Sequence, residues 1–71
     1  MSIKVLSFLD GEVKTFKIET DTPLTVREIL VKLSIPLDRF GIAISNGKVI
    51  TLEGEIAPHS EVRLIPPVGG G

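Results

Sequence analysis

Seventy-one residues allow one small domain, and the formal net charge of −1, with the eight Lys and Arg scattered along the chain, argues against nucleic acid, which demands clustered cations. There is no cysteine for a disulfide or a thiolate metal site, and three Phe with no Trp or Tyr offer little on which bases could stack. No apolar run nears the ~20 residues of a membrane-spanning helix and Met1-Ser2-Ile3-Lys4 opens no signal peptide, so a cytoplasmic protein is expected.

Ser2 to Leu9 reads as a strand, with Ile3, Val5 and Ser7 on one face and Lys4, Leu6 and Phe8 on the other. Asp10-Gly11 signals a turn, and 13–19 returns as the second strand of a hairpin, with Phe16 and Ile18 sharing a face. Thr25-Val26-Arg27-Glu28 matches a capping box, in which the Thr25 hydroxyl and the Glu28 carboxylate each satisfy a backbone amide of the other. Thr22 followed by Pro23 is a competing helix start. Val26, Ile29, Leu30 and Leu33 fall at i, i+3, i+4 and i+7 and make one apolar stripe. Pro36 restricts Ile35, so the helix ends before it, after roughly two to three turns.

Residues 36–40 read as a connector and 41–45 as a short strand. Asn46-Gly47 predicts a type I′ hairpin turn, because both positions tolerate positive φ, and Lys48-Val49-Ile50 returns. Residues 51–60 read as a loop anchored by Ile56, and Glu61 to Ile65 as the last strand. A single helix must bury its stripe on one face of a mixed sheet. The long intervening chain permits the first and last strands to pair in parallel at its centre. The expected fold is α+β, a β-grasp roll with four to five strands on one helix. One domain is expected over 1–65, followed by an extended tail over 66–71.

The tail is Pro66-Pro67-Val68-Gly69-Gly70-Gly71. Two prolines stop the sheet and hold an extended path, so the six residues reach on the order of 20 Å. A Gly-rich end is commonly a frayed terminus. Here a stiff Pro-Pro-Val root joins the glycines directly to an apolar strand, and no tag follows them, which favours a slim tip built to enter a narrow slot.

The remaining chemistry is sparse. His59 is the only His, beside Pro58 in a loop and without convergent ligands, so no metal site is expected. Ser7, Ser34, Ser45 and Ser60 lack a His/Asp constellation. The terminal glycines are no phosphate loop, since no strand-to-helix turn follows them. Asp10, Glu12, Glu53 and Glu55 read as solvated charges. The mean hydropathy of +0.35 favours an efficient core, or an apolar surface patch used for docking. Phe8 and Ile65, with Arg63 beside them, are candidates for such a patch on the outer sheet face; Phe8 closing the end of the core is the competing placement.

Several stretches carry a family resemblance: Ile3-Lys4-Val5-Leu6, Thr25-Val26-Arg27-Glu28-Ile29-Leu30, Asn46-Gly47, and above all Glu61-Val62-Arg63-Leu64-Ile65 followed by the Pro-Pro-Val-Gly-Gly-Gly end. With them the chain resembles, over its whole length, the ubiquitin-like sulfur carriers of the ThiS/MoaD type. Its Pro-Pro-Val root looks closer to the small subunit of molybdopterin synthase than to the thiamine carrier. Gly69 stands where a small non-Gly residue is common, and Pro58-His59-Ser60 where a Gly-Asp pair is common.

The resemblance implies a protein co-substrate and not an enzyme. A ubiquitin-activating-like adenylyltransferase would use ATP to adenylate the Gly71 carboxylate, and a sulfur donor would convert it to a thiocarboxylate. An acceptor enzyme, such as the molybdopterin synthase large subunit or thiazole synthase, would receive the sulfur for molybdopterin or thiamine biosynthesis, or for tRNA thiolation. The chain itself would bind no cofactor. Gly71 and Gly70 would carry the chemistry, and Gly69, Val68, Pro67, Pro66, Ile65, Arg63 and Phe8 would meet the partner. Two alternatives stand beside this: a ubiquitin-like modifier joined through Gly71 to target lysines, and a β-grasp interaction domain with an idle tail.

Overall fold

A computed structural model describes residues 1–67. Five strands form one mixed sheet in the order β2-β1-β7-β4-β5: β1 (Ser2–Ser7), β2 (Lys14–Glu19), β4 (Ile42–Ser45), β5 (Lys48–Ile50) and β7 (Glu61–Ile65). A ribbon of β3 (Leu24–Thr25) and β6 (Glu55–Ile56) adds a second, two-stranded sheet. One helix, α1 (Val26–Lys32), completes the β-grasp arrangement. As expected, β1 and β7 run parallel at the centre, with Val5 opposite Val62 and Ser7 opposite Leu64.

The inward positions agree across the ladders. Ile3 faces Ile18, Val5 faces Phe16, and Leu64 faces Ala43. Ile3, Val5, Ala43, Val62 and Leu64 are fully buried with Val26, Ile29 and Leu30 of the helix, and Ile56 closes the same cluster. Among the described residues every buried side-chain N or O atom has a hydrogen-bond partner. Buried Ser45, for instance, donates from Oγ to the Glu61 carbonyl at 2.7 Å, binding β4 to the start of β7.

The helix starts where the capping box places it. Glu28 N–H donates to Thr25 Oγ1 at 3.1 Å, and Thr25 N–H donates to Glu28 Oε1 at 2.8 Å. The alternative start at Thr22-Pro23 is not used. Thr20 Oγ1 instead accepts from the Thr22 amide and donates to its carbonyl, closing a tight turn before β3. The next helical amides, of Val26 and Arg27, donate to the carbonyls of Gly54 and Leu52 at 3.0 Å. The loop 52–54 therefore supplies acceptors that the helix cannot give itself.

At its other end α1 stops three residues short of Ile35. Ser34 takes φ +58°, Ser34 N–H donates to Val31 O, and Ile35 N–H donates to Leu30 O at 2.9 Å. These two bonds are a Schellman motif with a serine in the left-handed place usually held by glycine. The Asn46-Gly47 turn has φ of +54° and +76°, as a type I′ turn requires. Two expectations are corrected: the first strand ends at Ser7 and not Leu9, and the stretch 51–60 contains β6. Asp10, Glu12, Glu53 and Glu55 are exposed, as read, and Asp10 and Glu53 are in addition ion-paired. Arg27 Nη2 lies 2.7 Å from Glu53 Oε2, drawing the same loop onto the helix.

Candidate functional site

β7 delivers the tail from the middle of the sheet, held by β1 on one side and β4 on the other. Val62 and Leu64 point into the core, so Glu61, Arg63 and Ile65 face outward by strand alternation. Ile65 pairs with Ile42, and its carbonyl accepts from the Gly41 amide at 2.8 Å. This is the last main-chain bond before Pro66, which has no N–H to continue a ladder. Pro66 is half-buried and Pro67 exposed. Val68, Gly69, Gly70 and Gly71, the other tail residues singled out by the sequence, lie outside the described residues.

The outer face beneath that root is apolar at its centre. Phe8, Ile44, Arg63 and Ile65 line a depression of about 640 Å³ together with Asn46, Gly47 and Glu61. Phe8 thus lies on the outer face: it is half-buried, outside the core cluster, and its amide donates to Leu64 O at 3.0 Å. Leu6 and Ile44 stand opposite Arg63 from either side. Ile42, 40% exposed, and Val49, 65% exposed, extend the apolar surface toward the β5 edge. Phe8, Arg63 and Ile65 are therefore brought together. Ile44, Ile42 and Val49 belong with them, although nothing in the alternation of so short a hairpin marks which face the helix will leave open.

The charges on this face are mixed: Lys4, Lys17 and Arg63 stand beside Glu19 and Glu61, and Lys17 lies 3.8 Å from Glu19. Lys4 lies opposite Lys17 across the β1–β2 ladder and 3.8 Å from Glu61. Among the described residues Arg63 has no ion-pair partner. An apolar centre with Arg63 beside it suits a partner surface that sets a carboxylate among apolar side chains.

A second ionic cluster braces the approach to the tail root. Asp10 Oδ2 lies 3.1 Å from Lys14 Nζ, and Asp10 Oδ1 accepts from Arg39 Nη1 at 2.8 Å. The hydrogen bond and charge of Lys14, then Arg39, hold the Asp10 carboxyl below its ordinary value of 3.8. This joins the β1–β2 turn to the 3-10 turn Leu37–Arg39, which runs directly into Gly41.

His59 is exposed in its loop, with φ +72° and its amide donating to Ser2 O at 2.7 Å. Its role here is to turn the chain into β7. Among the described residues there is no group of His, Cys, Asp and Glu able to hold a metal, and no helix long and apolar enough to cross a membrane.

A comparison with known protein families agrees with the β-grasp fold. A family model described as the ThiS family matches residues 7–71. No curated protein matches the chain significantly.

Proposed function

Because the chain belongs to the ThiS family, a family of small ubiquitin-like sulfur carriers that serve an adenylating enzyme and acceptor enzymes without being enzymes themselves, we propose that its working group is the main-chain carboxylate of Gly71. In this reading a carboxylate oxygen attacks the α-phosphorus of ATP held by a ubiquitin-activating-like adenylyltransferase, and pyrophosphate leaves. The acyl-adenylate has a carbonyl carbon open to nucleophiles, which a free carboxylate lacks. Sulfide released by a sulfur donor attacks that carbon, the C–O bond to AMP breaks, and the resulting thiocarboxylate gives its sulfur to the acceptor enzyme, with water restoring the carboxylate. Gly70 and Gly71 have no Cβ, so partner groups can close on the reacting carbonyl.

The observation that carries this reading is the family match extending through the tail to residue 71. The position of β7 supports it: a central strand gives a rigid base, and Pro66 and Pro67 stiffen its exit. Phe8, Arg63 and Ile65, with Ile44, form the docking patch, and Pro66, Pro67, Val68 and Gly69 thread the partner's channel. The Pro-Pro-Val root favours molybdopterin synthesis as the pathway receiving the sulfur, with thiamine synthesis or tRNA thiolation as the other destinations.

Mass spectrometry of the protein taken from its own cells tests the proposal. The expected result is a fraction heavier by one oxygen-to-sulfur exchange, absent from Gly71→Ala, which folds as the wild type does. Conjugates linked to target lysines would identify a modifier instead, and an unaltered mass together with no ATP–pyrophosphate exchange would mean an idle tail.

A further inference from the structure

Gly41 precedes β4 and meets the root of the tail main chain to main chain. An ideal Cβ placed on it would fall 2.6 Å from the carbonyl carbon and oxygen of Pro66 and 2.7 Å from the nitrogen of Pro67. Ordinary contacts of a Cβ lie at 3.4–4 Å. The obstructing atoms are all backbone, so no side chain can rotate away to make room. The φ of Gly41 is not in the left-handed range, unlike those of Gly11 and Gly47. Glycine is therefore required here for space and not for its own backbone freedom.

We propose that Gly41 is a positioning residue, whose bare α-carbon lets Pro66 and Pro67 lie against the start of β4 and thereby fixes the direction in which the chain leaves the fold at Pro67. Two contacts define that direction: the Gly41 amide holds the Ile65 carbonyl at 2.8 Å, and the absent side chain admits Pro66 and Pro67 beside it. Proline fixes its own φ, so a push at Pro66 can be taken up at the two prolines only through ψ, and turning ψ changes the heading of the chain that follows. Five residues follow Pro66, a length that can span at most ~16 Å, so a small change of heading at the root can become a large one at the reacting group. The inference rests on the proposed function for its consequence and on the Gly41–Pro66 contact for its geometry.

The test is made on the full chain. In the wild type, NMR is expected to show a nuclear Overhauser contact between Gly41 Hα and Pro67 Hδ, and slow hydrogen exchange at the Gly41 amide. Gly41→Ala is expected to keep the core signals of Val5, Leu30 and Val62 and to lose the contact. Its kcat/KM in ATP–pyrophosphate exchange, with the adenylyltransferase from the same cells, falls tenfold or more, since displacements of about 1 Å at a reacting group are that costly. Pro66→Gly, which unlocks the root, lowers exchange severalfold, and the double variant loses less than the product of the two. A folded Gly41→Ala with wild-type exchange overturns the proposal. Should Gly41→Ala fail to fold, unchanged exchange in Pro66→Gly, or a fast-exchanging Gly41 amide in the wild type, overturns it instead. If the wild type supports no exchange, the proposed function fails, and the positioning role then stands or falls on the NMR contact.

Discussion

The carboxylate of Asp10 is gripped by Arg39 from across the molecule, Oδ1 to Nη1 at 2.8 Å, while Lys14 takes its other oxygen. The two stand twenty-nine positions apart along the chain, and Arg39 is two residues before the glycine against which the tail root lies. An exposed ion pair contributes little to overall stability. Its value is local, tying the β1–β2 turn to the approach to β4.

This pairing predicts a pH dependence of definite sign. The Asp10 carboxyl titrates below 3.8 in the folded protein, so the folded state holds its proton less tightly than the unfolded chain does. The contribution is complete above the unfolded value and is lost as pH falls through the depressed folded one. NMR titration is expected to show Asp10 as an acid stronger than ordinary, and its shift to shrink in high salt. In Asp10→Asn, thermal melts followed from about pH 6 to pH 2 lose this part of the acid dependence. An Asp10 that titrates like a free side chain would contradict the pairing.

Ser34 offers a stabilising substitution. Its φ of +58° ends α1 in a conformation that costs a side-chain-bearing residue ~1–2 kcal/mol, which glycine avoids. Part of that gain is offset by the greater freedom of glycine in the unfolded chain. Ser34→Gly is expected to raise stability by about 1 kcal/mol, or roughly 4–8 °C in Tm for a domain of this size. Urea and thermal unfolding check it, and a destabilised variant would mean that the serine hydroxyl matters more than its backbone.

Leu64 and Ile65 are chain neighbours on opposite faces, and the same change should affect them differently. Leu64 is fully buried, so Leu64→Asp places an unpaired carboxylate in the core and unfolds the domain. Ile65→Asp leaves the core untouched and is expected to preserve the fold while weakening adenylyltransferase binding by about 2 kcal/mol or more, roughly thirtyfold. Circular dichroism and a binding titration separate the two effects. Loss of folding in Ile65→Asp would refute the docking assignment.

The charge on that face gives a further discriminant. Arg63→Glu reverses the sign between Leu6 and Ile44, and is expected to slow association with the adenylyltransferase and flatten its salt dependence, with little effect on Tm. Stopped-flow mixing at low and high salt reads this. An unchanged association rate would place Arg63 outside the interface.

Much of the fold was legible because its signals are local. The capping box of Thr25 and Glu28 needs only three residues of separation, and the Asn46-Gly47 turn only two tolerant φ angles. The i, i+3, i+4 stripe gave the buried face of α1 at Val26, Ile29 and Leu30. The missed features were those a window of sequence does not contain. β6 is a two-residue strand, too short for any period, and exists because Leu24 and Thr25 lie opposite it. Ser34 has none of the conformational signature that a glycine at the same place would have carried. Glu53 reads as an ordinary loop charge until the loop folds back beside Arg27.

Sequence by itself determined the hairpins, the presence of the helix and its apolar stripe, and the alternation along β1 and β7. These follow from dihedral limits, side-chain periodicity and hydrogen bonds that span a few residues. Tertiary structure alone decided that Phe8 looks outward with Ile44 and Ile65, that Asp10 finds Arg39, and that Gly41 must be bare where Pro66 and Pro67 pass it. Those relations depend on which sheet face the helix covers and on which backbones meet after folding, and such distances are set by packing in three dimensions rather than by spacing along the chain.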